Sequence, residues 1–173
     1  VKDTLHGTRY RDELQWIKFT SLAWLPSGDG FLYSRYPQPG ELPDAPPSTH
    51  QRVYLHRLGE AQAEDTLVYA RPDAPDLGFQ PIVTDDDELL VLHVWEGTDT
   101  RNRLYYRPLQ ADGEFVKLLD DFDAKYHLVG HDSGTLFLLT DLDAPRGRII
   151  AIDLDRPERT QWREIVAEGA DTL

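Results

Sequence analysis

Residues 130–134, with the sequence Gly-His-Asp-Ser-Gly, are the part of the chain closest to a catalytic motif. A nucleophile elbow places serine third in a Gly-x-Ser-x-Gly string, on a sharp turn from a strand into a helix. Here Ser133 is the fourth residue, and the apolar residues 135–139 that follow predict a strand. We therefore expect a hairpin turn at Ser133 and assign no catalytic residue.

Histidines and acidic strings are the other candidates for chemistry. Residues 85–88 read Asp-Asp-Asp-Glu, without the alternating ligands and central glycine of a calcium loop, so we interpret them as a solvated turn. Carboxylates also pair at 120–123 and 141–143, but such pairs occur freely in so acidic a chain, and we assign no general acid or base. No His-Glu-x-x-His spacing links the six histidines, so we expect no metal site and no cofactor. The histidines are His6, His50, His56, His93, His127 and His131.

Composition narrows the possible partners. The 173 residues are 40% hydrophobic, which suits one folded domain, and the net charge of −13 disfavours nucleic acid and anionic membrane surfaces. No apolar run is long enough to span a bilayer, and residues 1–4 do not open a secretory signal, so we expect a soluble protein, cytoplasmic by default. The absence of cysteine excludes disulfides, thiolate zinc sites and cysteine nucleophiles.

A repeat positions all of these residues. Three similar strands begin at Arg52, Arg103 and Arg148, which lie 51 and 45 residues apart. Each is preceded by a turn and an apolar strand, at 27–33, 85–93 and 132–139. Each is followed by a shorter strand, at 66–69, 115–119 and 162–166, and first strands are expected near 19–24, 80–83 and 126–129. Four strands per repeat at this period predict β-propeller blades.

The expected fold is therefore all-β, a propeller fragment of about three four-stranded antiparallel blades. We place a lead-in strand and loop at 1–15 and blades at 16–73, 78–125 and 126–171. A β-sandwich is the structural alternative. The aromatic side chains are interpreted as packing between blades, with a sugar-stacking platform as the minor alternative. These aromatic residues are Trp16, Trp24, Tyr33, Trp95, Tyr105, Tyr106, Phe137 and Trp162.

Several segments in this repeat resemble one family in order. Residues 16–24 (Trp-Ile-Lys-Phe-Thr-Ser-Leu-Ala-Trp), 30–36 (Gly-Phe-Leu-Tyr-Ser-Arg-Tyr) and 51–59 (Gln-Arg-Val-Tyr-Leu-His-Arg-Leu-Gly) look like the propeller of prolyl oligopeptidases. The likeness continues through 102–105, Ala144-Pro145 and Trp162. It covers nearly the whole chain, although none of these segments is a catalytic signature.

The resemblance implies a seven-bladed parent propeller that caps an α/β-hydrolase domain with a Ser, Asp and His triad. It also implies cleavage of short peptides after proline, with the propeller restricting access to a cavity between the domains. This chain would supply about three blades and perform no chemistry itself. Its partners would be the hydrolase domain and short peptide substrate. These residues do not distinguish a parent peptidase that cleaves after proline from one that cleaves after basic residues.

The resemblance also points to individual residues. Val68 stands where similar peptidases often have a cysteine lining the substrate cavity. His56 matches a recurring family position, and we expect a neutral, hydrogen-bonded architectural histidine that bridges blades. The segment His6, Gly7, Thr8, Arg9, Tyr10, Arg11 and Asp12 resembles an interdomain gating loop.

The leading hypothesis is a non-catalytic propeller segment that limits the access of short proline-containing peptides to a serine endopeptidase active site. A protein-interaction propeller is the alternative, since propeller faces commonly bind partners, and a carbohydrate-binding propeller is the minor one. Because three blades leave strand edges uncovered, we also expect the isolated chain to self-associate.

Overall fold

The computed structural model describes residues 1–2, 7 and 9–171, and nearly all of its regular structure is β. The twelve strands are β1 (Ala23–Trp24), β2 (Gly30–Arg35), β3 (Arg52–Arg57), β4 (Thr66–Tyr69), β5 (Leu77–Val83), β6 (Leu89–Glu96), β7 (Arg103–Pro108), β8 (Val116–Leu119), β9 (Tyr126–Asp132), β10 (Thr135–Thr140), β11 (Arg148–Asp153) and β12 (Arg163–Val166). Short 3₁₀ turns at Gln62–Glu64 and Arg159–Gln161 precede β4 and β12. No helix within the described residues has the length and apolar character needed to cross a bilayer.

The strands form three four-stranded sheets with the orders β1-β2-β3-β4, β5-β6-β7-β8 and β9-β10-β11-β12. Neighbours run antiparallel wherever their register is defined, as in Tyr33 opposite Tyr54 and Leu92 opposite Tyr105. In such a sheet the connections between strands alternate between its two ends. The first-to-second and third-to-fourth connections lie at one end, and the second-to-third connection lies at the other. The predicted all-β fold of four-stranded propeller blades is confirmed.

Residue contacts divide the chain into two compact units, Val1–Ile82 and Val83–Leu173. In the first unit, Phe31 and Tyr33 of β2 and Tyr54 of β3 form a buried aromatic cluster against which Leu14 and Leu58 pack. In the second unit, the core is the apolar middle of β6 with facing residues of β7, and the inward residues of β10 and β11. The β-branched and aromatic runs therefore form the sheet cores, as their alternation predicts.

One predicted strand is shorter than expected. The residues near 19–24 were predicted as a strand, but only Ala23–Trp24 pair with β2. Trp16 and Phe19 have φ angles of 61° and 54°, in the left-handed region that a regular strand excludes. Phe19 is also 62% exposed. The backbone turns through this segment and enters the sheet late. Within the predicted lead-in strand and loop at 1–15, residues 3–6 and 8 lie outside the described residues, and Lys2 forms an isolated bridge with Arg9.

Two buried side-chain amides, one in each of the first two sheets, form a hydrogen bond with the first strand of the next sheet. Gln51, just before β3, accepts a hydrogen bond from Phe79 N–H in β5 at 2.6 Å and donates to Lys18 O at 3.0 Å. Asn102, just before β7, accepts from Tyr126 N–H in β9 at 2.7 Å and donates to Tyr126 O at 3.0 Å. An amide both donates and accepts, so one buried side chain satisfies two backbone groups. Both amides precede the third strand of their sheet and accept from the next first strand, but only Asn102 also donates to that strand.

Candidate functional site

His56 lies at the centre of a buried polar network in the first unit. Its Nδ1 is 2.7 Å from Asp65 Oδ1, and its Nε2 is 3.0 Å from Asp12 Oδ1. The three side chains are almost completely excluded from solvent. A carboxylate only accepts hydrogen bonds, so both contacts form together only when both ring nitrogens carry a proton.

The two carboxylates favour a charged imidazole over the neutral ring expected from the sequence. Burial alone lowers the pKa of His56, but the hydrogen bonds to Asp65 and Asp12 outweigh it, so that the pKa is raised. Burial likewise raises the pKa of Asp12, and the bonds from Gly59 N–H and His56 reverse this, so that its pKa is lowered. The network favours an imidazolium between two carboxylates. It joins β3 to the segments before β1 and β4, and not one blade to the next.

Asp12 anchors the chain that leads into the first sheet. Its Oδ1 also accepts Gly59 N–H at 2.6 Å, while its Oδ2 is buried and has no partner among the described residues. Gln15 is also held in place by two hydrogen bonds to the Gln62 side chain. Gln62 Oε1 accepts from Gln15 N–H at 2.9 Å, and Gln62 Nε2 donates to Gln15 O at 3.0 Å. Asp12, the last residue of the predicted gating segment, is therefore tied to the sheet by charge, and Gln15 just beyond it is tied by a paired amide.

Tyr33 extends the network into the core. Its hydroxyl donates to Asp65 Oδ2 at 2.5 Å and accepts from Gln62 Nε2 at 2.9 Å. Burial raises the pKa of Tyr33, and the adjacent Asp65 carboxylate raises it further. The phenol stays protonated, so it serves as a donor to Asp65 and not as a base. The network holds backbone in place, and we assign it no reaction.

A cavity of about 540 Å³ lies beside the long connection from β2 to β3. Its walls are mostly apolar residues of that connection, including five prolines, together with Trp16 and Ile17 from the segment before β1. Lys18, Gln38, Ser48 and Thr49 add polar groups. Tyr36 N–H donates to Trp16 O at 3.1 Å, and Glu41 forms an ion pair with Arg52 at the start of β3. The volume lies in the range of small-ligand and peptide sites. The prolines are Pro37, Pro39, Pro43, Pro46 and Pro47.

Val68, predicted to line a substrate cavity, is half-buried in β4. The register pairs Val53 with Tyr69 and Tyr54 with Leu67, so Val68 is the extra residue of a β-bulge. The same shift leaves Leu118 in β8 and Ile165 in β12 as extra residues of their fourth strands. A bulge at this place is thus a feature of all three sheets. The cavity role of Val68 stays a prediction.

The remaining sequence predictions fall into three groups. The hairpin at Ser133 is confirmed, because β9 ends at Asp132, β10 begins at Thr135, and Ser133 and Gly134 have φ angles of 49° and 76°. Of the predicted gating segment, His6 and Thr8 lie outside the described residues. Of the aromatic residues predicted to pack between blades, Tyr33 and Tyr105 are buried, whereas Trp16 and Trp24 are 43% and 44% exposed. Trp16 instead lines the proline-rich cavity.

The proline-rich cavity and the Asp12 anchor were both missed by sequence reasoning. The signal for the first was the density of prolines at 37–47, which favours a structured connection over a flexible one. The second had no local signal, since Asp12 and His56 are 44 residues apart.

Comparison with known proteins gives one consistent result. A profile of the prolyl oligopeptidase N-terminal β-propeller domain matches residues 1–173. Prolyl oligopeptidase A of Amanita bisporigera is 31% identical over 170 residues, covering 92% of this chain and 22% of the relative. Prolyl endopeptidase of Elizabethkingia meningoseptica is 31% identical over 159 residues, covering 91% and 22%. The chain therefore spans about 22% of the length of these relatives.

Solved structures agree with these sequences. One structure from a mechanistic study of two prolyl endopeptidases has a TM-score of 0.85 and 31% identity, and covers 99% of this chain and 24% of that chain. Prolyl oligopeptidase B from Galerina marginata, bound to a 35mer hydrolysis and macrocyclization substrate, has a TM-score of 0.83 and 26% identity, with coverage of 95% and 23%.

Proposed function

Because the chain belongs to the prolyl oligopeptidase N-terminal β-propeller family, we propose that it limits which peptides reach the active site of a serine peptidase. In this proposal the catalytic residues belong to an α/β-hydrolase domain of the parent protein, and this chain acts by exclusion and positioning. The preferred substrates are short peptides that contain proline.

The proline-rich cavity is the observation that carries the proposal. It is formed by the longest connection between strands in the described chain, and it lies at the second-to-third-strand end of the first sheet. Prolines have few backbone conformations to lose, so such a connection can keep its shape without secondary structure. Proline rings and Trp16 offer an apolar, rigid wall to a proline-containing peptide.

The Glu41–Arg52 ion pair provides a way to loosen this wall without deleting it. Glu41 joins the connection to β3, and both the hydrogen bond and the charge of Arg52 hold the pKa of Glu41 low against the effect of burial. Partly exposed ion pairs of this kind contribute up to about 1 kcal/mol to stability. Removing the pair should therefore increase the fraction of molecules in which the connection has moved away from β3 by about fivefold at most.

The test is made in the full-length parent enzyme with Glu41→Gln. We expect kcat/KM for a long proline peptide to rise two- to fivefold, while kcat/KM for a short one stays within experimental error. Glu114→Gln, an acid in the connection between β7 and β8, serves as the matched control. An unchanged ratio of the two kcat/KM values contradicts this gate and favours a protein-interaction role.

The segment from His6 to Asp12 is proposed as a second element of the same gate. Since Asp12 is part of the buried network, the test replaces only residues 6–11 by Gly and Ser and keeps Asp12 in place. We expect the long-to-short ratio of kcat/KM to change while thermal stability is retained. A stable variant with an unchanged ratio removes this segment from the gate.

A further inference from the structure

A second cluster of charged groups lies in the unit Val83–Leu173. His131, at the end of β9, has Nδ1 2.6 Å from Asp86 Oδ2 and 3.9 Å from Glu88 Oε2. One ligand atom of each residue lies within 4.8 Å of the others. Asp86 and Glu88 belong to the turn between β5 and β6, and His131 lies in β9 next to its hairpin turn, so two separate hairpins converge here.

The imidazole of His131 directs its Nδ1 at this cluster from a buried position. Its side chain is only 1% exposed, and its Nε2 has no partner among the described residues. All of the polar contacts described for the ring are therefore to the two carboxylates. A buried histidine directed at two partly exposed acids is the arrangement of a metal ligand set in which the imidazole is fixed and the carboxylates adjust.

Asp86 is oriented by its own partners. Its Oδ1 accepts from Thr84 Oγ1–H at 2.6 Å and from Glu88 N–H at 3.2 Å, which leaves Oδ2 directed at His131. Thr84 is itself buried and accepts Leu89 N–H. Such outer hydrogen bonds fix the orientation of metal-binding carboxylates.

We propose that Asp86, Glu88 and His131 bind a divalent transition-metal cation, with Zn²⁺ as the probe. One nitrogen and two carboxylate oxygens suit Zn²⁺ or Mn²⁺ better than Ca²⁺ or Mg²⁺, which prefer oxygen alone. Zn–N and Zn–O bonds near 2.1 Å separate tetrahedral ligands by roughly 3.3 Å. The observed 2.6 and 3.9 Å lie on either side of that value, and Glu88 is exposed and free of a rigid strand.

The cation takes the place of the proton between His131 and Asp86. It links the β5–β6 turn to the β9–β10 hairpin, and solvent can fill the remaining coordination position because both carboxylates are accessible. Metal binding then competes with protonation and weakens as the pH falls.

The test is a calorimetric Zn²⁺ titration of the purified chain at pH 7.5, with variants checked for folding by circular dichroism. We expect saturable one-to-one binding, an affinity at least tenfold lower for His131→Gln and severalfold lower for Glu88→Gln, and a weaker affinity for the native chain at pH 5.5. His127→Gln, an exposed histidine on the same strand, should leave the affinity unchanged. Glu88 is exposed, so its variant decides the matter even if His131→Gln does not fold.

Two outcomes overturn the proposal. The first is the absence of saturable Zn²⁺ binding by the native chain. The second is binding that is unaffected by Glu88→Gln and His131→Gln, which places the metal on other histidines.

Discussion

His56 Nδ1 donates a hydrogen bond to Asp65 Oδ1 at 2.7 Å, and neither side chain is accessible to solvent. Asp12 faces the opposite nitrogen, so one buried cation is shared by two carboxylates from different segments. Because a buried ion that loses its partner keeps its desolvation penalty, removing the histidine leaves two uncompensated charges.

His56→Gln should therefore lower the free energy of unfolding by about 3 kcal/mol or more near pH 6. The pKa of folded His56 lies above its ordinary value of 6.5, so the stability it contributes is fully present below that pH and is lost as pH rises through the folded pKa. The lowered pKa of Asp12 affects stability at acidic pH. The stability that Asp12 contributes is present above pH 3.8 and is lost as pH falls through its folded pKa.

Urea unfolding of the native chain and His56→Gln from pH 5 to 9 measures this difference. It should be largest from pH 5 to 6 and shrink toward pH 9. His127→Gln controls for loss of an exposed histidine and should stay within about 0.5 kcal/mol of the native chain. A difference independent of pH would show that the ring acts by packing and not by charge.

Asn102 should be sensitive to loss of either half of its amide. Asn102→Ala leaves Tyr126 N–H and C=O unpaired in a buried site, which costs about 2 kcal/mol or more. Asn102→Asp still accepts from Tyr126 N–H but places a carboxylate against Tyr126 O, so it should also destabilise the chain. Gln161→Ala removes an exposed amide and is the control in the same unfolding assay. Equal stability of the Asn102→Ala and Gln161→Ala variants would contradict the proposed clamp.

Gly30 allows no side chain in the present backbone. A Cβ at this position would lie 2.5 Å from His56 O, so β2 and β3 would have to separate. We expect Gly30→Ala to lower the free energy of unfolding by about 1–3 kcal/mol. Gly130→Ala, in β9, meets nothing within 4 Å and should be nearly neutral. If the two variants are equally stable, the close contact between the position 30 side chain and His56 O does not lower stability.

The isolated chain should self-associate. Apolar side chains on outer strands are exposed, including Leu67 in β4, Val116 in β8 and Ile165 in β12 at 53%, 50% and 47%. Uncovered strand edges and apolar patches favour pairing, while the net charge of −13 opposes it. Screening weakens that repulsion, so sedimentation should show more dimer in about 0.3 M than in about 0.05 M salt. A monomer at every concentration and salt would show that three blades are stable alone.

The sequence predicted the strands well because their signals are local. Apolar runs such as Leu89–Glu96 and turns such as Ser133-Gly134 specify strand and hairpin without information from elsewhere. The shortened β1 was missed because positive φ angles at Trp16 and Phe19 have no composition signal.

The candidate sites were predicted less well, for a physical reason. Asp86 and His131 are 45 residues apart, and Asp12 and His56 are 44 apart, so only the repeat geometry brings them together. Each of these residues lies in a segment whose composition is that of an ordinary turn or strand. The expectation of no metal site reflected this, and the Zn²⁺ site proposed above departs from it.

Size selection by the parent enzyme tests the central claim most directly. Replacing residues 40–47 by a short Gly-Ser link removes three of the five prolines that line the cavity but keeps Tyr36 and β3. The measurement is kcat/KM for a series of proline peptides of increasing length. Our account predicts that the length at which kcat/KM falls moves to longer peptides, with little change for the shortest one. An identical length dependence in the native and shortened enzymes would contradict it.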